Sequence, residues 1–120
     1  MLAAILESGD PERLYTGLSL LASAASAGED TRALIGFGAL RALLDPDLAA
    51  RATLIVDSER EPFARTLAEL RAVVAELPNC RLWACGAAVQ AAGASELPFE
   101  GVTSMPAFLR EVGDARLVFV

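Results

Sequence analysis

The sequence predicts an α/β fold, with a parallel sheet of about five strands and helices on both faces. Three observations carry that reading. Short runs such as Leu2–Leu6 and residues 117–120 are continuously apolar, the pattern of strands covered on both faces. Helix-start and helix-stop signals lie between such runs, Asp10-Pro11-Glu12 before the first helix and Gly28 after it. The 120 residues are 54% hydrophobic with a mean hydropathy of +0.44, enough apolar surface for one domain, residues 1–120, with a core of its own.

Residues 2–6 are the first strand. Asp10 is placed to cap the helix that follows, with Pro11 in its first position and Glu12 in its first turn. That helix runs to about Ala27. Leu14, Leu18, Leu21 and Ala25 form one face at helical spacing, and Tyr15, Ser19, Ala22 and Ser26 form a second, weakly polar one. No residue between Arg13 and Glu29 is charged, so the helix is expected to be covered on a second side, by a subunit interface or by the chain itself. Residues 31–35 are the second strand. Gly36-Phe37-Gly38 reads as a turn, residues 39–44 as a short helix, and Asp45-Pro46 as its stop. Residues 47–61 read as a helical extension and loop, with Asp57 to Pro62 a charged break. A strand at residues 53–56 is the other reading of that stretch.

Residues 63–77 form an amphipathic helix with Phe63, Leu67, Leu70, Val74 and Leu77 on its buried stripe. Pro78-Asn79 stops it. Leu82, Trp83 and Ala84 form the apolar part of a strand that ends at Cys85, and Gly86 turns the chain into an Ala-rich helix over residues 87–92. Gly101-Val102 is a brief strand. Thr103 or Ser104 caps a helix from about Met105 to Val112, and residues 117–120 close the sheet.

Composition excludes several functions. The chain has no histidine, which removes Ser-His-Asp and Cys-His catalysis and most zinc sites, and no metal or cofactor is implied. Ten basic against sixteen acidic residues give a net charge of −6, unsuited to direct contact with nucleic acid or an anionic membrane. The longest uncharged run, residues 14–28, is too short and too polar to span a bilayer. Two cysteines and no recognisable leader fit a reducing, cytoplasmic setting.

Cys85 is the residue around which a chemical function is built. It stands where a strand ends and a helix begins, the edge at which open α/β sheets gather their ligands, and helix-start N–H groups there favour a nucleophilic thiolate. The competing reading is a small buried hydrophobe. Cys80 lies at the opposite end of the same strand, about 16 Å away by strand rise, beyond disulfide reach. It reads as structural. Gly9 and Asp10, the Gly36-Phe37-Gly38 turn, Gly86 with Ala87, and Ser104 with Met105 fall on the edge that holds Cys85. Together they would line one small pocket. Phe37 and Trp83 read as core residues, and Glu59-Arg60-Glu61 as a solvated loop. No phosphate-binding glycine motif is present.

Asp10-Pro11-Glu12-Arg13 opening an uncharged Ala/Ser-rich helix, then Gly28 and a strand, resembles the DsrE/DsrF-like family. So does Arg81-Leu82-Trp83-Ala84-Cys85-Gly86-Ala87-Ala88, followed by Gly93 and the closing strand. The resemblance covers the chain except residues 47–61. It implies a three-layer α/β/α sandwich on a mainly parallel sheet, and a homo-oligomer (dimer, trimer or hexamer). It also implies a persulfide-carrying cysteine, which the strand-end pattern sets on Cys85, exchanging sulfur with donor and acceptor proteins. Two functions stand open: a sulfur carrier, or a non-catalytic oligomerising or small-ligand-binding module in which Cys85 only packs.

Overall fold

The computed structural model describes residues 1–120. Five strands form one sheet, β1 (Leu2–Leu6), β2 (Thr31–Ile35), β3 (Cys80–Cys85), β4 (Gly101–Thr103) and β5 (Arg116–Phe119). Between them run α1 (Pro11–Ser26), α2 (Phe37–Leu43), α3 (Asp57–Glu76), α4 (Gly86–Ala92) and α5 (Met105–Val112). The strand order is β4-β3-β2-β1-β5 and every pairing is parallel. The predicted α/β/α sandwich is therefore what forms, and its sheet is wholly parallel.

Alternation along the strands sorts their side chains into two layers. Ala4, Leu6, Ala33, Ile35, Cys80 and Ala84 meet the apolar sides of α1, α2, α3 and α4 in the larger core. Ala3, Ile5 and Leu34 face the other way, where only Phe108 and Val112 of α5 complete a small second core. One layer thus carries four helices and the other carries one. The reason is topological. Successive crossovers from β1 to β4 step in one direction along the sheet, whereas the crossover to β5 steps back past β1. Right-handed connections then put α5 alone on the opposite face. All five residues of β1 are buried, which accounts for its unbroken apolar sequence.

The first helix follows its sequence closely. Leu14, Leu18, Leu21 and Ala25 are buried, and Gly28 adopts φ +92° just past the end. Part of its second side is covered from within the chain, where Tyr15 stacks on Phe63 of α3 with ring centroids 5.4 Å apart.

Two helix starts are corrected. α2 begins at Phe37, so Gly36 alone makes the turn, and Phe37 is half exposed rather than core. Residues 53–56 are loop after a 3-10 turn at Leu48–Arg51, as expected, and the alternative strand does not form; Leu54 and Val56 stand largely in solvent. α3 begins at Asp57, not Phe63, so Glu59-Arg60-Glu61 is helical and Pro62 lies inside the helix. Two contacts extend that helix upstream. Asp57 and Glu59 place negative charge at its positive end. Arg60 donates to the carbonyl of Ala52 at 2.9 Å and forms an ion pair with Asp57.

Candidate functional site

Because all strands are parallel, their carboxyl ends form one edge, and the register fixes the neighbours there. Ile35 lies beside Ala84, and Cys85 lies beside Thr103. The Cys85 turn therefore sits between Gly36 on one side and Thr103-Ser104 on the other. The β1 loop carrying Gly9 and Asp10 is two strands away.

Cys85 closes β3 in an extended conformation (φ −68°, ψ 126°) and is the residue from which α4 starts. It is half-buried and touches both cores. Gly86 is the first residue of α4. A Cβ built there would lie 3.4 Å from Val102 Cγ1, an ordinary contact, so the glycine is not required by space. Gly93 ends the helix in the left-handed region at φ +65°. Cys80, at the other end of the strand, is buried, and burial pushes its thiol up to about 11 from an ordinary 9.0. Of the two thiols, only Cys85 is partly open.

The remaining edge residues divide by role. Gly9 and Gly38 meet: a Cβ on Gly9 would stand 2.8 Å from Gly38 O, and one on Gly38 would stand 2.8 Å from Glu7 O. The amide of Gly36 donates to Leu6 O at 2.8 Å and that of Ala39 donates to Glu7 O at 2.9 Å. These glycines let the β1 loop lie flush against the start of α2, a packing role. Asp10 occupies the cap position of α1 without bonding through its side chain; its own amide donates to Ser8 Oγ at 3.1 Å. Ser104 does cap α5, its hydroxyl accepting from Ala107 N at 3.2 Å. Met105 and Phe37 project from the edge with much of their surface exposed.

The loops share an edge, while the main concavities lie beyond it. One, of ≈ 250 Å³, opens between α3 and the β3–β4 connection, with Val74, Leu82, Pro98 and Phe99 in its wall. Another, of ≈ 340 Å³, lies where strand order reverses between β1 and β5, and Asp10, Arg13, Leu54 and Phe119 line it. Of the predicted edge residues, Asp10 lines this second groove. No three His, Cys, Asp or Glu side chains cluster in a way that could hold a metal ion.

Several contacts carry no local sequence signal. Asn79, read as a helix stop, donates from Nδ2 to the carbonyls of Ala25 and Glu29 at 2.8 and 3.0 Å. It thereby ties the end of α1 to the start of β3. Glu12 accepts from the amide of Thr53 at 3.0 Å, fastening the loop before α3. Arg32 lies over Trp83 at 5.6 Å, with Nε and Nη1 buried without an acceptor and Nη2 paired with Asp30. Apart from Asp30, each partner is remote in sequence or on another strand. No protein-family model matches the chain, and no curated protein matches its sequence.

Proposed function

We propose that this chain is a sulfur carrier of the DsrE/DsrF-like kind, in which Cys85 holds a persulfide and passes it between protein partners. The observation that carries the reading is the contrast between its thiols. Cys85 is only partly buried, at the carboxyl edge of the sheet, where ligands gather in this class of fold. Cys80 is shut in the core with its proton held to about 11. Access to Cys85 is aided by the sheet face it shares by alternation with Arg81 and Trp83, on which α5 is the only covering helix.

The transfer is redox-neutral. The Cys85 sulfur attacks the terminal sulfur of a persulfide donor, forming a new S–S bond. The donor's own S–S bond breaks, and the donor leaves as a thiol carrying the proton that Cys85 gives up. A second partner thiol reverses the step and takes the sulfur away. Backbone N–H groups of Gly86 and Ala87, at the unpaired start of α4, would hydrogen-bond the bound sulfur. The Gly36 turn and the Ser104-Met105 turn would flank the approach.

The test is intact-protein mass spectrometry after incubation with a low-molecular-weight persulfide. The native chain and Cys80→Ser gain the mass of one sulfur, and Cys85→Ser does not. No gain on the folded native chain removes the carrier reading. It would leave the alternative, an oligomerising or ligand-binding module, which the exposed apolar side chains around β5 favour.

A further inference from the structure

We propose that the free edge of β5 is a two-fold interface with a second copy of this chain, the two β5 strands running antiparallel about Val118. The inference stands whether or not Cys85 carries sulfur.

The backbone sets the geometry. Arg116 N donates to Met1 O at 3.1 Å and Val120 N donates to Ile5 O at 2.8 Å, so the alternate residues of β5 bond inward to β1. Leu117 and Phe119 consequently aim their N–H and C=O groups away from the sheet, and β5 is the last strand in its order. In an antiparallel pair, two outward-facing residues set opposite each other exchange both hydrogen bonds. A two-fold axis at Val118 sets Leu117 against Phe119 of the second copy, and Phe119 against Leu117. All the outward groups of the strand are then used. An axis at Leu117 would instead set Phe119 against Ala115, whose amide is already bonded to Val112 O.

The side chains agree with that register. Leu117 and Phe119 lie on the α5 face of the sheet, 53% and 64% exposed. On α5, Met105 and Leu109 are 38% and 42% exposed, and helix geometry turns them to the β5 side of buried Phe108. These four side chains expose on the order of 400 Å² of apolar surface, near half of the ~800 Å² each partner gives to a standard interface. The opposite face continues the surface. There Gly17 of α1 approaches Val120, a Cβ built on it lying 3.5 Å from Val120 Cγ1. Leu20 and Ala24 follow Gly17 at helical spacing on a helix uncharged from Leu14 onward.

Nothing on this edge deters pairing. β5 holds no lysine, proline or bulge, and its one charge, Arg116, is bonded to Glu29 at 2.7 Å. The other edge strand, β4, has only three residues and follows Glu100. A second copy is the occupant that fits, because the Val118 axis makes the strand complementary to itself in backbone and in side chain.

The test is analytical ultracentrifugation of the native chain, Leu117→Pro and Phe119→Lys, with circular dichroism to verify folding. Both substituted side chains are exposed, and the N–H removed by proline bonds to nothing within one copy. The expected result is a native dimer, or an even-numbered assembly built from it, and folded monomers or half-assemblies for both variants. Val118→Cys in a Cys85→Ser background should form an interchain disulfide on mild oxidation, because Val118 faces its own copy at the non-hydrogen-bonded position. A native chain that stays monomeric at all concentrations overturns the proposal. So does an assembly that both edge variants leave intact, or cross-linking by Leu117→Cys in preference to Val118→Cys.

Discussion

Cys80 and Cys85 are the same residue type on one strand, and position alone separates them. Cys80 points into the larger core, so its ionisation costs folding free energy: the thiol titrates near 9.0 when unfolded and at about 11 when folded. Between those values the native chain binds the proton that the unfolded chain has lost, so stability falls as pH rises. The expected loss from pH 9 to 11 is up to about 2–3 kcal/mol. Urea melts in the presence of reductant check it, and Cys80→Ala should remove that part of the slope. Their placement at opposite ends of one strand was legible from strand length, whereas which of them is shut in was not. A strand-to-helix turn at Gly36 was legible too, although close contact with Gly9, which explains Gly38, has no local signature. The side-chain bonds of Asn79 were illegible for a similar reason: its acceptors are carbonyls that only the folded chain brings near.

At the scale of elements, β1, β2 and α5 form where periodicity and capping signals place them, and α3 does not. Asp57 to Pro62 was read as a charged break, and proline does lack an amide donor and crowd the preceding turn. Yet it lies only in the second turn of α3, where the cost is one lost hydrogen bond, and the helix continues six residues upstream of the expected start. Pairing of Arg60 with Ala52 O and Asp57 favours that extension, and a local window cannot weigh it. Replacing Pro62 by alanine restores the missing donor on an exposed site. The expected gain is about 1–2 kcal/mol, less than the ~3 kcal/mol of a helix interior, seen as a higher urea midpoint with unchanged slope.

The molecule as a whole is asymmetric about its sheet. Four helices share the burial on one face, whereas Phe108 and Val112 are the only buried helical side chains in the core on the other. Phe108→Ala should cost roughly 3–5 kcal/mol and loosen α5 from the sheet, detected by thermal melting together with increased binding of a hydrophobic dye. Class of fold and parallel pairing were readable from element alternation. Strand order was not, since no short segment records which earlier strand β5 returns to. That return has a consequence for the timing of folding on the ribosome. Leu2 pairs with Thr31 on one side and with Arg116 on the other, so the first strand synthesised becomes interior only when the last has emerged. Until β5 is made, Leu2–Leu6 is itself a bare apolar margin, open to mispairing with other strands.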